Sequence, residues 1–201
     1  MSRQIKSKKR VADFGEVYTA DREVNAMLDM VANQAASITT TFLEPACGNG
    51  NFVAAILRRK LQTVADINER SEQTMLNILR AVASIYAVDI LSDNVYETRN
   101  RLRTLAEDAY DNMACGFGHM KRLWLRKLDM ILNMNIMCGD TLTAMMNDGS
   151  DMWISEWTIA DSGSIIRDEV RYKDIIDGTD VDRSRHIIHR YRMQLIKSAA
   201  A

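Results

Sequence analysis

Between Thr39 and Leu57 the chain runs from β-branched and apolar residues, through two closely spaced glycines, into an apolar pattern at helical spacing, and few folds accommodate that order. Thr39-Thr40-Thr41-Phe42-Leu43 suits a buried parallel strand, because branched and aromatic side chains pack well on a pleated surface covered on both faces. Phe52-Val53-Ala54-Ala55-Ile56-Leu57 then opens a helix, with Arg58, Arg59 and Lys60 near the end of its second turn. Gly48 and Gly50 stand between the two. Glycines at that spacing let the backbone turn sharply and come close to a ligand, while the helix that follows offers unpaired N–H groups. The unit predicts an α/β fold with a nucleotide-like cofactor over the turn. Glycine turns also join strands to helices without binding anything, so the glycines alone leave both readings open.

A chain of 201 residues is long enough for one such domain with a real core. Its net charge of −1 argues against a uniformly basic nucleic-acid coat. The charge is uneven, however. Arg3, Lys6, Lys8, Lys9 and Arg10 make residues 1–12 a basic arm, expected to be flexible and solvated, with phosphate contact as the alternative. Cys47, Cys115 and Cys138 are too few and scattered for a disulfide framework or a metal cluster, which fits a reducing, cytoplasmic setting without a bound metal. No apolar run approaches the roughly 20 residues of a membrane span, so no membrane association is expected.

Upstream of the glycine turn lies Gly15-Glu16-Val17-Tyr18-Thr19-Ala20. Thr19 is placed to cap a helix whose apolar face is Val24, Met27, Leu28 and Val31. Downstream, Ala65 to Ser84 follows a helical pattern, and Ile85-Tyr86-Ala87-Val88-Asp89-Ile90 is a short apolar run ending in a carboxylate, as in a second parallel strand. An acidic residue there can accept from both hydroxyls of a ribose, since two carboxylate oxygens match a vicinal diol; alternatively Asp89 only caps the next helix. Ser92 to Leu132 predicts a helical insertion, broken at Cys115-Gly116-Phe117-Gly118. His119 within it is an ordinary surface residue. Asn135 to Leu142 repeats the order of strand, turn and helix start, with Asp140 in the turn as ligand contact or helix cap.

Glu44-Pro45-Ala46-Cys47-Gly48-Asn49-Gly50-Asn51-Phe52 resembles the (Asp/Glu)-Pro-x-x-Gly-x-Gly-x-Phe signature of amino-group DNA methyltransferases, and Gly15 to Ala20 resembles their Gly-Glu-x-(Phe/Tyr)-Thr-Pro element, with alanine in place of proline. The resemblance spans Phe14 to Leu142. It implies a Rossmann-like S-adenosylmethionine-dependent methyltransferase fold over residues 13–160, with an abbreviated sheet, and adenine-N6 methylation of DNA in the cytoplasm, as in restriction-modification. Cofactor contacts are implied for Tyr18 and Thr19, for Glu44, Pro45, Ala46, Gly48, Gly50 and Phe52 around the methionine and ribose, for Asp89 at the ribose, for the neighbouring Ile90, and for Asp140 at the adenine amino group, with Met137 or Cys138 against the ring.

The family's catalytic (Asp/Asn/Ser)-Pro-Pro-aromatic loop accepts the hydrogens of the target amino group and stacks on a base turned out of the duplex. Pro45 is the only proline here, so that loop is missing in its usual form. Ser155-Glu156-Trp157 is its nearest substitute, with Ser155 and Trp157 as the catalytic candidates; Trp153 and Trp157 serve equally well as core residues. After Ile159 come a charged helical or mixed segment, Ile165 to Ile176, and a basic amphipathic stretch, His186 to Lys197, in which His186 and His189 are incidental. Residues 161–201 thus form a short extension without a complete target-recognition region. The expected partner is DNA. The rival expectation is a non-catalytic cofactor-binding subunit, completed by a protein partner or by a second copy.

Overall fold

The computed structural model describes residues 5–67, 72–177 and 189–195. Helices α1 (Lys8–Phe14), α2 (Asp21–Asp29) and α3 (Ala32–Ala36) precede strand β1 (Phe42–Glu44). The glycine turn leads into α4 (Asn51–Ile67), followed by α5 (Glu72–Ala83) and β2 (Ile85–Asp89). Next come α6 (Ser92–Met113), a short 3-10 segment (Cys115–Met120), α7 (Lys121–Asn135) and β3 (Ile136–Asp140). A two-residue β4 (Met145–Met146), β5 (Trp153–Ile159), β6 (Ser164–Arg171), α8 (Tyr172–Ile176) and β7 (His189–Gln194) complete the described order.

The architecture is α/β. β1, β2 and β3 lie side by side in parallel, with Phe42 opposite Ile85 and Ala87 opposite Ile136, and β4 closes the sheet antiparallel to β3. Parallel strands require long crossovers, and the helices supply them. The alternation of β2 divides its side chains between two cores. Ile85 and Ala87 pack into the main core with Val53, Ile56 and Leu57 of α4, Leu76 and Leu79 of α5, and Leu128 and Ile131 of α7. Tyr86 and Val88 face the other way, with Met137, Met152, Ile154 and Tyr172. Each fully buried aliphatic or aromatic side chain contributes about 1.5–3 kcal/mol. Trp124 has 0% exposure; its indole N–H donates to the Met75 carbonyl at 3.0 Å and its ring centre lies 4.5 Å from that of Tyr110.

Lys60 is also fully buried, two turns into α4, and has no carboxylate beside it among the described residues. Its amine donates to the carbonyls of Ser37 (2.6 Å) and Thr40 (2.7 Å), which fixes the approach to β1, and burial lowers its pKa to about 8. β1 has β2 on one side and, among the described residues, no strand on the other; Leu43 in its centre is 43% exposed.

Several sequence expectations change here. The residue capping α2 is Ala20, with no side-chain cap bond, so Thr19 does not serve as its cap. The stretch from Ala65 to Ser84 is not one helix: α4 ends at Ile67 and α5 begins at Glu72. No helix starts at Leu142. The Asp140 carboxylate accepts the Leu142 N–H at 2.8 Å and Ala144 adopts a left-handed φ of 59°, which turns the chain into β4 instead.

The C-terminal third differs most. β5 does not join the parallel sheet as a fourth strand; it forms an antiparallel sheet of order β5-β6-β7, with Ile154 opposite Val170 and Ile165 opposite Met193. Ile165 to Ile176 is therefore mostly strand, and so is the described part of the basic stretch; His186 lies outside the described residues. A boundary between residues 160 and 161 falls inside the β5–β6 hairpin, whose turn is closed by the Ala160 N–H on the Ser164 carbonyl at 2.9 Å. The basic arm also has structure from Lys8 onward, as α1 with Ser7 accepting the Arg10 N–H at its start.

Candidate functional site

The carboxyl ends of β1, β2 and β3 point to one side of the sheet, where the crevice of an open parallel α/β sheet lies. After β1 the chain turns through Pro45 to Gly50 and enters α4. The turn is pinned to β2 at two points: the Cys47 N–H donates to the Val88 carbonyl (2.9 Å) and the Gly48 N–H to Oδ2 of Asp89 (2.8 Å). Thr98 on α6 adds a third tie, its hydroxyl donating to the Gly48 carbonyl at 3.2 Å. Gly50 has φ +81°, and a Cβ there would stand 2.7 Å from the Thr98 hydroxyl oxygen, so neither the conformation nor the space admits a side chain. Cys47 is buried in this turn; burial pushes its thiol up to about 12, which disfavours the thiolate near neutral pH.

Asp89 is itself buried. Oδ1 accepts the Leu91 N–H (2.8 Å) and the Asn94 amide (3.2 Å), whereas Oδ2 accepts only Gly48. A carboxylate oxygen has two acceptor positions, so Oδ2 keeps one for a ligand hydroxyl and the expected paired grip on a diol is reduced to a single contact. Asn94 links Asp89 to a second buried carboxylate, donating to Oε1 of Glu16 at 2.6 Å. Burial pushes Glu16 up, but the Arg10 guanidinium (2.5 and 2.7 Å) and Asn94 more than offset that and hold it below its ordinary value.

Four chain segments enclose a cavity of about 530 Å³. Residues 14–17 form one wall, and Pro45, Ala46 and Gly48 form the second. Asp89, Ile90, Leu91 and Asn94 make the third, and residues 139–142 the fourth. The Thr141 hydroxyl donates to the Pro45 carbonyl (3.3 Å), joining the second wall to the fourth. Asp140 spends one acceptor position on Leu142 and keeps the rest. Asp89 and Asp140 line this space with no lysine or arginine among its described lining residues, and the charge of Glu16 is paired with Arg10, so the two aspartates favour a ligand carrying positive charge.

Six of the residues selected from sequence line the cavity: Pro45, Ala46, Gly48, Asp89, Ile90 and Asp140. The other five do not line it. Tyr18 is buried with its ring packed against Gly48, and Gly50 packs against Thr98. The Thr19 side chain is exposed, and it is the Thr19 carbonyl that is used, accepting from the Asn51 amide at 3.1 Å. Glu44 is half-buried, which raises its pKa, and accepts from the Ala46 N–H at 3.4 Å. Phe52 packs into the main core rather than against the cavity. Neither Met137 nor Cys138 lines it; Met137 belongs to the core on the other face of the sheet.

The structure separates Ser155 and Trp157 from this cavity. The Ser155 side chain is buried, and its carbonyl accepts from the Tyr86 hydroxyl (2.6 Å). The Trp157 indole donates to the buried Asn135 amide (2.8 Å), which in turn donates to the carbonyls of Ala83 and Ile85. Both residues are thus tied to the beginning of β2, whereas the cavity lies at its end. β5 stands where the resemblance places a fourth strand, but it joins the other sheet. Asn94 and Glu16 were missed as site residues; Glu16 stood in the Gly-Glu element, whereas Asn94 has no signal in an ordinary helical stretch.

Among the described residues there is no group of three or more His, Cys, Asp or Glu side chains that could hold a metal ion, and no helix long and apolar enough to cross a membrane. No family model, curated protein or solved structure matches the chain.

Proposed function

We propose that the cavity binds S-adenosylmethionine and that the chain takes part in methylating the exocyclic amino group of adenine in DNA. The observation that carries this reading is the convergence of the glycine turn, Asp89 and Asp140 on one space at the ends of three adjacent parallel strands. The residues present suit the cofactor. A cavity of about 530 Å³ is within the range of small-molecule sites. Asp89 Oδ2 has an acceptor position for a ribose hydroxyl, Asp140 has one for an adenine amino group, and Ile90 offers an apolar side chain to a ring. The carboxylates of Asp89 and Asp140, which have no ion-pair partner among the lining residues, fit the cofactor's sulfonium and ammonium charges. When bound, S-adenosylmethionine supplies a methyl group on a positively charged sulfur.

The expected first result is calorimetric binding of S-adenosylmethionine to the purified chain; absence of binding sinks the proposal. A tritiated-methyl assay on unmethylated DNA then tests transfer.

A second reading has its own support. With Ser155 and Trp157 remote from the cavity and one edge of β1 unpaired among the described residues, the chain is a cofactor-binding module whose acceptor loop comes from another polypeptide or a second copy. Cofactor binding without transfer favours that module, and transfer by the chain alone rules it out.

A further inference from the structure

Helix α1 contributes no buried residue, and seven residues are too few for a helix to be stable alone in water. It is held by charge. Arg10 grips Glu16 on one side and Asp93 on the other (2.5 Å), and Lys6 reaches Asp93 (3.1 Å) and Glu97 (3.0 Å) in the first turns of α6. Gly15, in the left-handed region at φ +65°, then bends the chain sharply, so that Glu16 and Tyr18 turn inward while Val17 stays exposed. This polar clamp adds little to the core. Its geometric result is to hold Phe14, the last residue of α1, in the wall of the cavity with 51% of its surface exposed.

Phe14 has apolar company there. Val17 lies next to it along the same wall, and Leu142, 91% exposed, comes from the β3–β4 turn. Exposed apolar side chains from separate segments that meet around one cavity mark a surface for a ligand. Resting on the cofactor reading above, we infer that Phe14 is the stacking platform for the acceptor base, a neutral amino-bearing nucleobase whose ring lies on Phe14 between Val17 and Leu142.

The chemistry selects that class of ligand. The carboxylates of Asp89 and Asp140 line the same cavity and repel a phosphate, whereas an exocyclic amino group can donate to a carboxylate. The phosphates of the acceptor strand therefore stay outside. The cofactor's own adenine is assigned to Ile90, just after β2, and to Asp140 at the end of β3, so the wall made by residues 14–17 is left to a second ring. The arm residues Lys6 and Arg10 are consequently positioning residues for Phe14, engaged with protein carboxylates rather than with nucleic-acid phosphates.

The test is a coupling measurement on full-length protein saturated with S-adenosylhomocysteine. The probes are a single-stranded oligonucleotide of abasic sugar-phosphates carrying one central adenine and the same strand without the base. The wild type is expected to prefer the adenine strand by about tenfold, the size of one base–aromatic stack. Phe14→Ala should abolish the preference and Phe14→Trp should keep it, with S-adenosylhomocysteine held at saturation for each variant. Because α1 buries nothing, Phe14→Ala is expected to fold. An undiminished preference in Phe14→Ala, or none in the wild type, overturns the inference and leaves the cofactor reading standing. A loss of S-adenosylhomocysteine affinity in Phe14→Ala equal to its loss of base preference also overturns it, since the ring then belongs to the cofactor. A wild type that does not bind S-adenosylhomocysteine overturns both.

Discussion

Oδ2 of Asp89 accepts the backbone N–H of Gly48 at 2.8 Å, so the glycine turn after the first strand is held in shape by the carboxylate that ends the second. The same side chain fastens Leu91 and Asn94 at the start of α6. A proposed binding residue and a structural tie coincide in one carboxylate.

Asp89→Ala leaves the Gly48 and Leu91 N–H groups and the Asn94 amide without that acceptor. Unfolding free energy is expected to fall by about 1–3 kcal/mol, and S-adenosylmethionine affinity should fall with it. Asp89→Asn keeps an acceptor oxygen and should recover part of the stability. Denaturant melts and calorimetry separate the two effects; an unchanged affinity in folded Asp89→Ala removes Asp89 from the site.

Gly50→Ala combines a left-handed backbone with a contact at 2.7 Å to Thr98. A loss of about 1–3 kcal/mol is expected. Thr98→Ala removes the two closest atoms of that clash but not the backbone strain. The double variant should therefore lie well above the sum of the two single losses, and strict additivity in a double-mutant cycle counts against this packing.

The clamp on α1 predicts an acid-sensitive N-terminus. The Arg10 guanidinium, with Lys6, holds Asp93 down to about 2 from 3.8, and Glu16 also lies below its ordinary value. A carboxylate whose pKa is lower folded than unfolded contributes stability that is fully present above the unfolded value and lost as pH falls through the folded one. Amide exchange in residues 11–14 should therefore accelerate as pH drops from about 4 toward about 2, beyond its intrinsic pH dependence and before the core responds. In Arg10→Met these amides should exchange fast already at neutral pH. Equal protection in the variant and the wild type contradicts the clamp.

Trp157→Phe tests the placement of the proposed catalytic pair. It removes the 2.8 Å bond to the Asn135 side-chain oxygen, at 0% exposure for that residue, and should cost about 1–3 kcal/mol in stability. S-adenosylmethionine affinity should not change. A cofactor-affinity defect in this variant at full stability contradicts the separation between β5 and the cavity.

Much of the candidate site's framework was legible in the chain because its signals are local. The turn at Gly48 and Gly50 and the carboxylates Asp89 and Asp140 each follow a short apolar strand, and β1, β2 and β3 lie in adjacent parallel positions. The roles given to Thr19 and Phe52 depended on where a side chain points after a turn, which neighbouring residues do not settle. Asn94 depends on a helix face meeting Glu16, far away in the chain. The structured arm was illegible for the same reason: Lys6 and Arg10 look solvated until Asp93 and Glu97 arrive from α6.

Periodicity and turn chemistry, which act over a few residues, determined that this chain has short parallel-type strands, amphipathic crossover helices and a glycine turn between a strand and a helix. Tertiary structure alone decided that β5 pairs with β6 rather than with β1, and hence that Ser155 and Trp157 stand by the beginning of β2 while Phe14 stands at the cavity. Strand pairing is non-local: an alternating strand satisfies its hydrogen bonds equally well in either sheet, and the choice falls to the hairpin at Ala160–Gly163 and to the apolar face that Tyr86, Val88 and Met137 leave to be covered.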